Sequence, residues 1–565
     1  MTEALLNPAL LMIGGGLLLP LLRDWPRKLF MLLLPAASLA VLIALPDGDG
    51  GAIQFFGMAM ETIRVDRLSF IFAVIFHIAA WLAVIYALHL KDTLQHVAAT
   101  VYAGAAIGAV LAGDLVTLML YWELTALSSV FLIWARRTER AYRVGMRYLI
   151  IQVGSGVLLI AGIAVRYVAT GSVDFERMDL AEPGALLIFL AFGIKCAFPL
   201  MHNWLQDAYP EATVTGTVVL SAFTTKLAVY ALARGFPGTE VLIWIGAAMT
   251  LFPIFFAVIE NDLRRVLAYS LNNQLGFMVC GIGVGTELAL NGAAAHAFAH
   301  ILYKSLLFMA MGAVLYRVGT IKASELGGLY KSMPWTAAFC IVGSMSISAF
   351  PLLSGFVTKS MILTAVAEEH LWVVWLMLLF ASAGVLDHSG IKIPFFSFFA
   401  HDSGKRCDEA PLNMLLAMGF TAALCIGIGL YPAPLYALLP FDIDYNAYTT
   451  THVITQLQLL LFAAAGFAVL YRRGWYPPEI PSLNLDVDWT YRRFAPAVWN
   501  GAIAALAAAR DRVLTPLSAF ALRSATRASV ALRPNGRIAD AWTTGTMVLW
   551  TAVLLGLFLL ASLVR

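Results

Sequence analysis

An all-α polytopic membrane protein of about sixteen transmembrane helices is the fold class this sequence predicts, and three observations predict it. The 565 residues are 61% hydrophobic and only 13% charged. Apolar runs of roughly 20 residues, enough to cross a bilayer as helix, recur from end to end. No β-barrel alternation is visible, and a closed barrel is the only other structure that satisfies backbone polar groups in lipid.

The runs centre near residues 14, 37, 79, 104, 124, 156, 195, 223, 249, 273, 303, 350, 378, 422, 461 and 553. The first lacks a basic n-region and a small-residue cleavage site, so it reads as a retained span. Residues 46–67, with DGDGG and METIRVDR, form a loop with room for a short strand. Three regions are expected: 1–67 with the N-terminal spans and that loop, a core over 68–436, and C-terminal spans over 437–565.

Basic residues set the orientation. With Arg23, Arg27 and Lys28 inside, the inside loops also carry Lys91, Arg136, Arg137, Arg140, Arg143, Arg147, Arg264, Arg265, Arg317, Lys322, Lys331, Lys392, Lys405 and Arg406. The outside loops between spans hold only Arg64, Arg67, Arg166, Arg177 and Arg234. This bias supports an even span count with both termini outside.

The tail differs in kind. Residues 472–541 hold ten arginines, and VDWTYRRFAPAVWNGAIAALAAARDRVLTPLSAFALRSATR is amphipathic but too polar to span. It is expected to lie along the cytoplasmic interface or against a partner's cytoplasmic surface, since both need the same amphipathicity.

Several chemistries are set aside. Cys196, Cys280, Cys340, Cys407 and Cys425 are scattered, which argues against a structural disulfide, a zinc site or an iron–sulfur site. No Gly-rich phosphate loop follows a strand. No cofactor, metal or nucleic-acid partner is expected.

What remains is a set of charges in the wrong solvent. VTLMLYWELTALSSVFLIW carries a single charge, Glu123. Four lysines fall inside spans: Lys195, Lys226, Lys304 and Lys359. An ionised side chain at mid-membrane costs at least about 2.5 kcal/mol, so each must snorkel to the interface or line an internal polar pathway. Burial depresses a lysine pKa readily whereas arginine stays charged, and no arginine sits at the centre of a core span. That choice of residue suits a chain that loads and releases protons.

HAFAHILYK sets His296, His300 and Lys304 four residues apart, along one helix face about 6 Å per step. They are either a proton-exchanging row or core histidines hydrogen-bonded to neighbouring helices. Ser270, Asn272, Asn273 and Gln274, one span earlier, are placed to hold water beside them. Asp387 and His388 either end the path or cap a helix. AFPL occurs at 197–200 and again at 349–352, and Pro199 and Pro351 should each break their helix locally. Paired interrupted spans in two halves of a transporter point to its transport site.

YWELTALSS, GIKCAFPLMHNWLQDAYPEATVTGTVVLSAFTTKLAVYAL, NDLRRVLAYSLNNQLGFM, HAFAHILYKSLLF and FPLLSGFVTKSMIL resemble the antiporter-like proton-channel subunits. That superfamily includes membrane-arm subunits of respiratory complex I and large subunits of Mrp-type sodium/proton antiporters. The similarity covers about residues 68–436 and looks closest to the D-type large subunit of the Mrp antiporters. Lys359 followed by Ser360 favours that subunit over complex I relatives with glutamate, or lysine then aspartate, at this place.

The resemblance implies two inverted five-helix repeats with discontinuous helices around a hydrated axis. It implies a Glu123–Lys195 ion pair, Lys226 as the connecting lysine, His296, His300 and Lys304 as the central relay, and Lys359 as the terminal lysine. It further implies a bacterial inner-membrane location, partner membrane subunits, and protons with sodium as the ions moved. The chain then acts as a transport subunit rather than an enzyme by itself. A lateral amphipathic helix before a last span departs from the pattern of the D-type subunits and is similar to the distal complex I subunit. Two other settings for the same relay are a redox complex, quinone reductase or hydrogenase, and an inorganic-carbon uptake system.

Overall fold

The computed structural model describes residues 7–55, 57–481, 484–533, 536 and 542–563. The chain divides into two compact units, Met1–Asn484 and Leu485–Arg565. The first unit opens with α1 (Pro8–Leu18), α2 (Asp24–Ala44) and an antiparallel hairpin of β1 (Gly48–Phe55) and β2 (Met58–Val65). Then come α3 (Arg67–Ala87), α4 (Thr93–Val110), α5 (Leu115–Trp134), α6 (Glu139–Thr170) and α7 (Ala185–Cys196). They are followed by α8 (Asn203–Glu211), α9 (Val214–Ala222), α10 (Thr224–Gly235), α11 (Val241–Ile259), α12 (Leu263–Val284) and α13 (Glu287–Val318). The unit closes with α14 (Pro334–Ile347), α15 (Ser354–Glu368), α16 (Trp372–Val385), α17 (Leu412–Leu430) and α18 (Thr450–Arg472).

The protein is a polytopic all-α membrane protein. Among the described residues, eleven helices are long and apolar enough to cross a bilayer. Each of the sixteen expected centres lies on a helix or at the break between two; the other five segments are short, interrupted or too polar to qualify. The loop over 46–67 holds a full hairpin rather than one short strand.

The inverted repeat is written into the helix ends. Asp114 caps α5 and Asp262 caps α12, each accepting backbone N–H bonds from the first turn. The next helix in each half, α6 and α13, has 32 residues, a threonine N-cap (Thr138, Thr286) and a left-handed glycine after its last turn (Gly171, Gly319). Each aspartate also forms an antiparallel bridge to the strand-like residue beyond that long helix, Asp114 to Asp174 and Asp262 to Lys322.

The AFPL echo has the same backbone twice. Ala197 and Leu200 take φ of 62° and 70°, and Ala349 and Leu352 take 58° and 73°. Phe198 N–H donates to Gly193 O at 3.0 Å, and Phe350 N–H to Met345 O at 3.0 Å. Pro199 and Pro351 lie in the resulting turns, α7 to α8 and α14 to α15. Four spans lie between the two broken ones, so the helices that contain the breaks run in opposite directions.

α9, α10 and α13 are buried all round and form the axis, whereas α18 presents most of its apolar surface outward. The α11 and α12 backbones touch at Gly246 and Gly276, where a Cβ on either residue would meet backbone of the other helix. In the second unit, the amphipathic stretch forms α19 (Ala495–Ala531), followed by the apolar α20 (Thr544–Leu563).

Candidate functional site

Lys195 ends α7 immediately before the first break, with its side chain fully buried. Its Nζ donates to Trp122 O at 2.5 Å and Thr125 Oγ1 at 2.8 Å, and lies 4.4 Å from the Trp122 ring centroid. The ring is itself fixed, donating from Nε1 to Ser155 Oγ at 3.0 Å. The carbonyl, the hydroxyl and the π-face each solvate an ammonium in place of water.

Glu123 is on α5, one residue from that carbonyl, but it does not pair with Lys195. Among the described residues it has no ion pair within 4.0 Å, and its buried Oε1 has no hydrogen-bond partner. The carboxylate rests against Gly156 of α6, where an added Cβ would collide with Oε1. The ion pair implied by the resemblance is therefore parted here. A side chain in α6 at this position would displace the carboxylate from this notch.

Lys226 follows a second interruption, at Phe223 between α9 and α10. Its Nζ donates to Ser221 O at 2.6 Å, a carbonyl the break leaves available. Cys196, next in sequence to Lys195, lies within its electrostatic reach.

On α13, His296, His300 and Lys304 are completely buried. His296 lies 3.0 Å through Nδ1 from Thr358 Oγ1 and 3.1 Å through Nε2 from Gln274 Oε1, which also accepts from Tyr303 at 3.1 Å. His300 has no ring-nitrogen partner among the described residues. Its ring sits 5.2 Å from Tyr303 and 6.3 Å from His296. Lys226, Lys304, His296 and Lys359 all lie within its electrostatic reach, so the row and both halves converge there.

Lys304 donates to Leu267 O at 3.2 Å and Ser270 Oγ at 2.9 Å. Lys359, on α15 beyond the second break, donates to Ile347 O at 3.1 Å and stands 4.9 Å from the Phe277 ring centroid. Lys195, Lys226, Lys304 and Lys359 thus all rest on backbone carbonyls, and none of these four has a carboxylate ion pair among the described residues.

Asp387 and His388 do not cap a helix. They lie inside a π-helical turn, Leu386–Ile391, within one continuous run of helix, Trp372–Phe399. π-Turns inside α-helices are frequent at functional sites. His388 Nδ1 is 2.8 Å from Ser389 Oγ, and Ser389 donates to Ser270 Oγ at 2.7 Å.

Lys392 corrects the expectation that it lies in an inside loop. It sits on the same run of helix with a fully buried side chain, pairs with Glu479 at 2.9 Å, and donates to Val258 O at 2.6 Å and Glu260 O at 2.7 Å. Hydropathy alone stops the span one usual helix length after residue 372. The available signal is the apolar IPFFSFFA that resumes after DHSGIK. The polar stretch of α12 falls where the sequence places it: Ser270 meets Lys304 and Gln274 meets His296.

A family model described as NADH:quinone oxidoreductase/Mrp antiporter membrane subunit matches residues 112–384. The D-type subunit of the sodium/proton antiporter of Alkalihalophilus pseudofirmus is 30% identical over 352 residues, 58% of this chain and 71% of that protein. The chain belongs to this antiporter-like membrane-subunit family. Hydrogenase-4 component B of Escherichia coli is 27% identical over 423 residues, 66% of this chain. Within the solved Mrp complex from Dietzia sp., one chain superposes with a TM-score of 0.77 at 25% identity, covering 94% of this chain. The present chain spans 63% of the length of each of these last two relatives.

Proposed function

We propose that the chain is the proton-translocating subunit of a multisubunit monovalent-cation/proton antiporter, sodium being the expected cation, in a bacterial cytoplasmic membrane. Glu123, Lys195, Lys226, His300, His296, Lys304 and Lys359 carry the protons. The observation that carries this reading is the parted Glu123 and Lys195: a buried carboxylate oxygen with no partner beside an ammonium held on neutral groups.

An ammonium without a counter-ion in a low-dielectric site favours its neutral form, and an approaching carboxylate reverses that preference. Movement of Glu123 between Gly156 and Lys195 therefore loads and unloads Lys195. A unit of pKa corresponds to about 1.4 kcal/mol, so a small displacement in such a site changes proton occupancy several-fold. A proton leaving Lys195 passes to Lys226, then through the His300 region to Lys304 and Lys359. Buried polar atoms without protein partners, on His300, Asn272 and Gln152, are positions that water takes up to bridge the gaps.

Glu123→Gln and Lys195→Ala are each expected to abolish proton transport by the native complex while assembly survives. Full transport in both variants, with the complex intact, overturns the mechanism. The match to a hydrogenase-4 component supports a second setting, a membrane subunit of a redox complex, for the same relay. Purification of the native complex separates them: iron–sulfur subunits identify redox coupling, and small membrane subunits alone identify the antiporter.

A further inference from the structure

The central row has a hydrogen-bonded side branch that the Glu123-to-Lys359 relay does not use. From Lys304 Nζ it runs to Ser270 Oγ at 2.9 Å, to Ser389 Oγ at 2.7 Å and to His388 Nδ1 at 2.8 Å. Ser270, Ser389 and His388 are fully buried. The hydrogen-bonded branch ends at His388, whose Nε2 has no partner among the described residues; within its electrostatic reach is Lys392, which pairs with Glu479, their side-chain exposures being 0% and 7%. Asp387, beside His388 in the π-turn, is within electrostatic reach of both members of the pair.

Both Glu479 carboxylate oxygens are buried, and the next residue, Ile480, is 53% exposed. The groups facing Glu479 are Lys392, Asp387, Glu260 and Tyr476; Arg265 in turn lies beside Glu260. Burial pushes the Glu479 carboxyl above the usual range, Lys392 opposes that shift, and Glu260 adds to it. This end of the molecule is the one that carries the arginine-rich loop: Arg147 meets Asp207, and Arg264 donates to Tyr209, Ala212 and Thr213 carbonyls.

We propose that Glu479 exchanges protons with the arginine-loop face of the membrane and delivers them to Lys304 through Asp387, His388, Ser389 and Ser270. Lys392 is the fixed cation that positions the Glu479 carboxylate. In the inward direction, an O–H bond on Glu479 breaks and one forms on Asp387, and His388 is then protonated at Nε2, with water bridging the Glu479, Asp387 and His388 atoms that have no hydrogen-bond partner among the described residues. His388 gives up its Nδ1 proton to Ser389, each hydroxyl passes on its own proton as it accepts the next, and neutral Lys304 becomes the ammonium. Both serine hydroxyls are free to rotate, so the same chain serves either direction. Ser389 donates to Ser270, as delivery to Lys304 requires, and Ser270 turns from accepting the Lys304 Nζ proton to donating its own once Lys304 is neutral. The proposal rests on the proton-translocating reading, and its test separates the two.

The native complex is assayed in everted membrane vesicles, where the arginine-loop face meets the medium, by dye-reported proton flux over a series of medium pH values. Glu479→Gln is expected to lower flux at least fivefold and to remove its dependence on medium pH, with Glu479→Asp retaining both. The double variant Lys392→Met with Glu479→Leu removes the buried charges together and is expected to stay inactive. If the pair only supports the fold, the double variant recovers flux relative to the single variants, and the proposal is overturned. Wild-type flux and pH profile in Glu479→Gln, with Lys226→Ala inactive, overturns this branch and leaves the central row standing. Wild-type flux in Lys226→Ala as well overturns the underlying reading.

Discussion

The two broken helices share a backbone and differ in their charges. Both breaks place an alanine and a leucine three residues apart in the left-handed region, a conformation that non-glycine residues adopt at a cost. In the first half the lysine precedes the break, and Glu123 stands nearby without touching it. In the second half the lysine follows the break, over the Phe277 ring, and it too has no ion-paired carboxylate among the described residues. A buried ion pair forms instead toward the arginine-loop end, where Glu479, from beyond the second half, meets Lys392. The second break supplies the carbonyl that holds Lys359, Ile347 O, whereas Lys195 takes its carbonyl from Trp122 on α5, beside Glu123, so the two lysines differ in both carbonyl source and carboxylate placement.

Four variants break or sharpen this comparison. The largest effect is expected from Lys359→Ala, which should lower proton flux at least tenfold, about 1.4 kcal/mol, as severely as Lys195→Ala. An effect confined to one half would show that the halves do not act in series. Next, Gly156→Ala should lower flux several-fold by driving the Glu123 carboxylate out of its notch. Gly154→Ala is its control, because a Cβ there meets nothing within 4 Å. Equal flux in the two glycine variants would show that the parted position of Glu123 has no role.

Phe277→Leu removes the ring beneath Lys359, a contact worth about 0.5–1 kcal/mol, and should change flux only two- to threefold. The smallest effect is on stability. Asp66 caps α3 and makes two hydrogen bonds with Arg234, at 2.8 Å and 2.7 Å. Burial alone would raise its carboxyl, but Arg234 and Ser69 hold it below the usual carboxylate range. A depressed value stabilises the folded state above the unfolded pKa, and the benefit is lost as pH falls below about 4. Asp66→Asn should cost at most about 1 kcal/mol at neutral pH, measured by thermal melting in detergent, and nothing more on acidification.

Much of this was legible in the sequence because a lysine or glutamate in an apolar run announces itself. Glu123, Lys195, Lys226, Lys304 and Lys359 lie on helices that the hydropathy alone locates, and the four-residue spacing places His296, His300 and Lys304 on one face of α13. Two features were not legible. Helix register is local, whereas the distance between Glu123 and Lys195 depends on how α5, α6 and α7 pack and on the space Gly156 leaves for the carboxylate. The Lys392 site combines a π-turned helix that outruns the usual span length with a carboxylate from a non-helical segment 87 positions later in the numbering. No period in the sequence connects the two.

Proton flux through the purified native complex in proteoliposomes, with Lys304→Ala at the point where the α13 row meets the Ser270 branch, tests the central claim most directly. The account predicts flux no greater than that of protein-free liposomes, with subunit composition unchanged. Flux equal to wild type in that intact complex would contradict it.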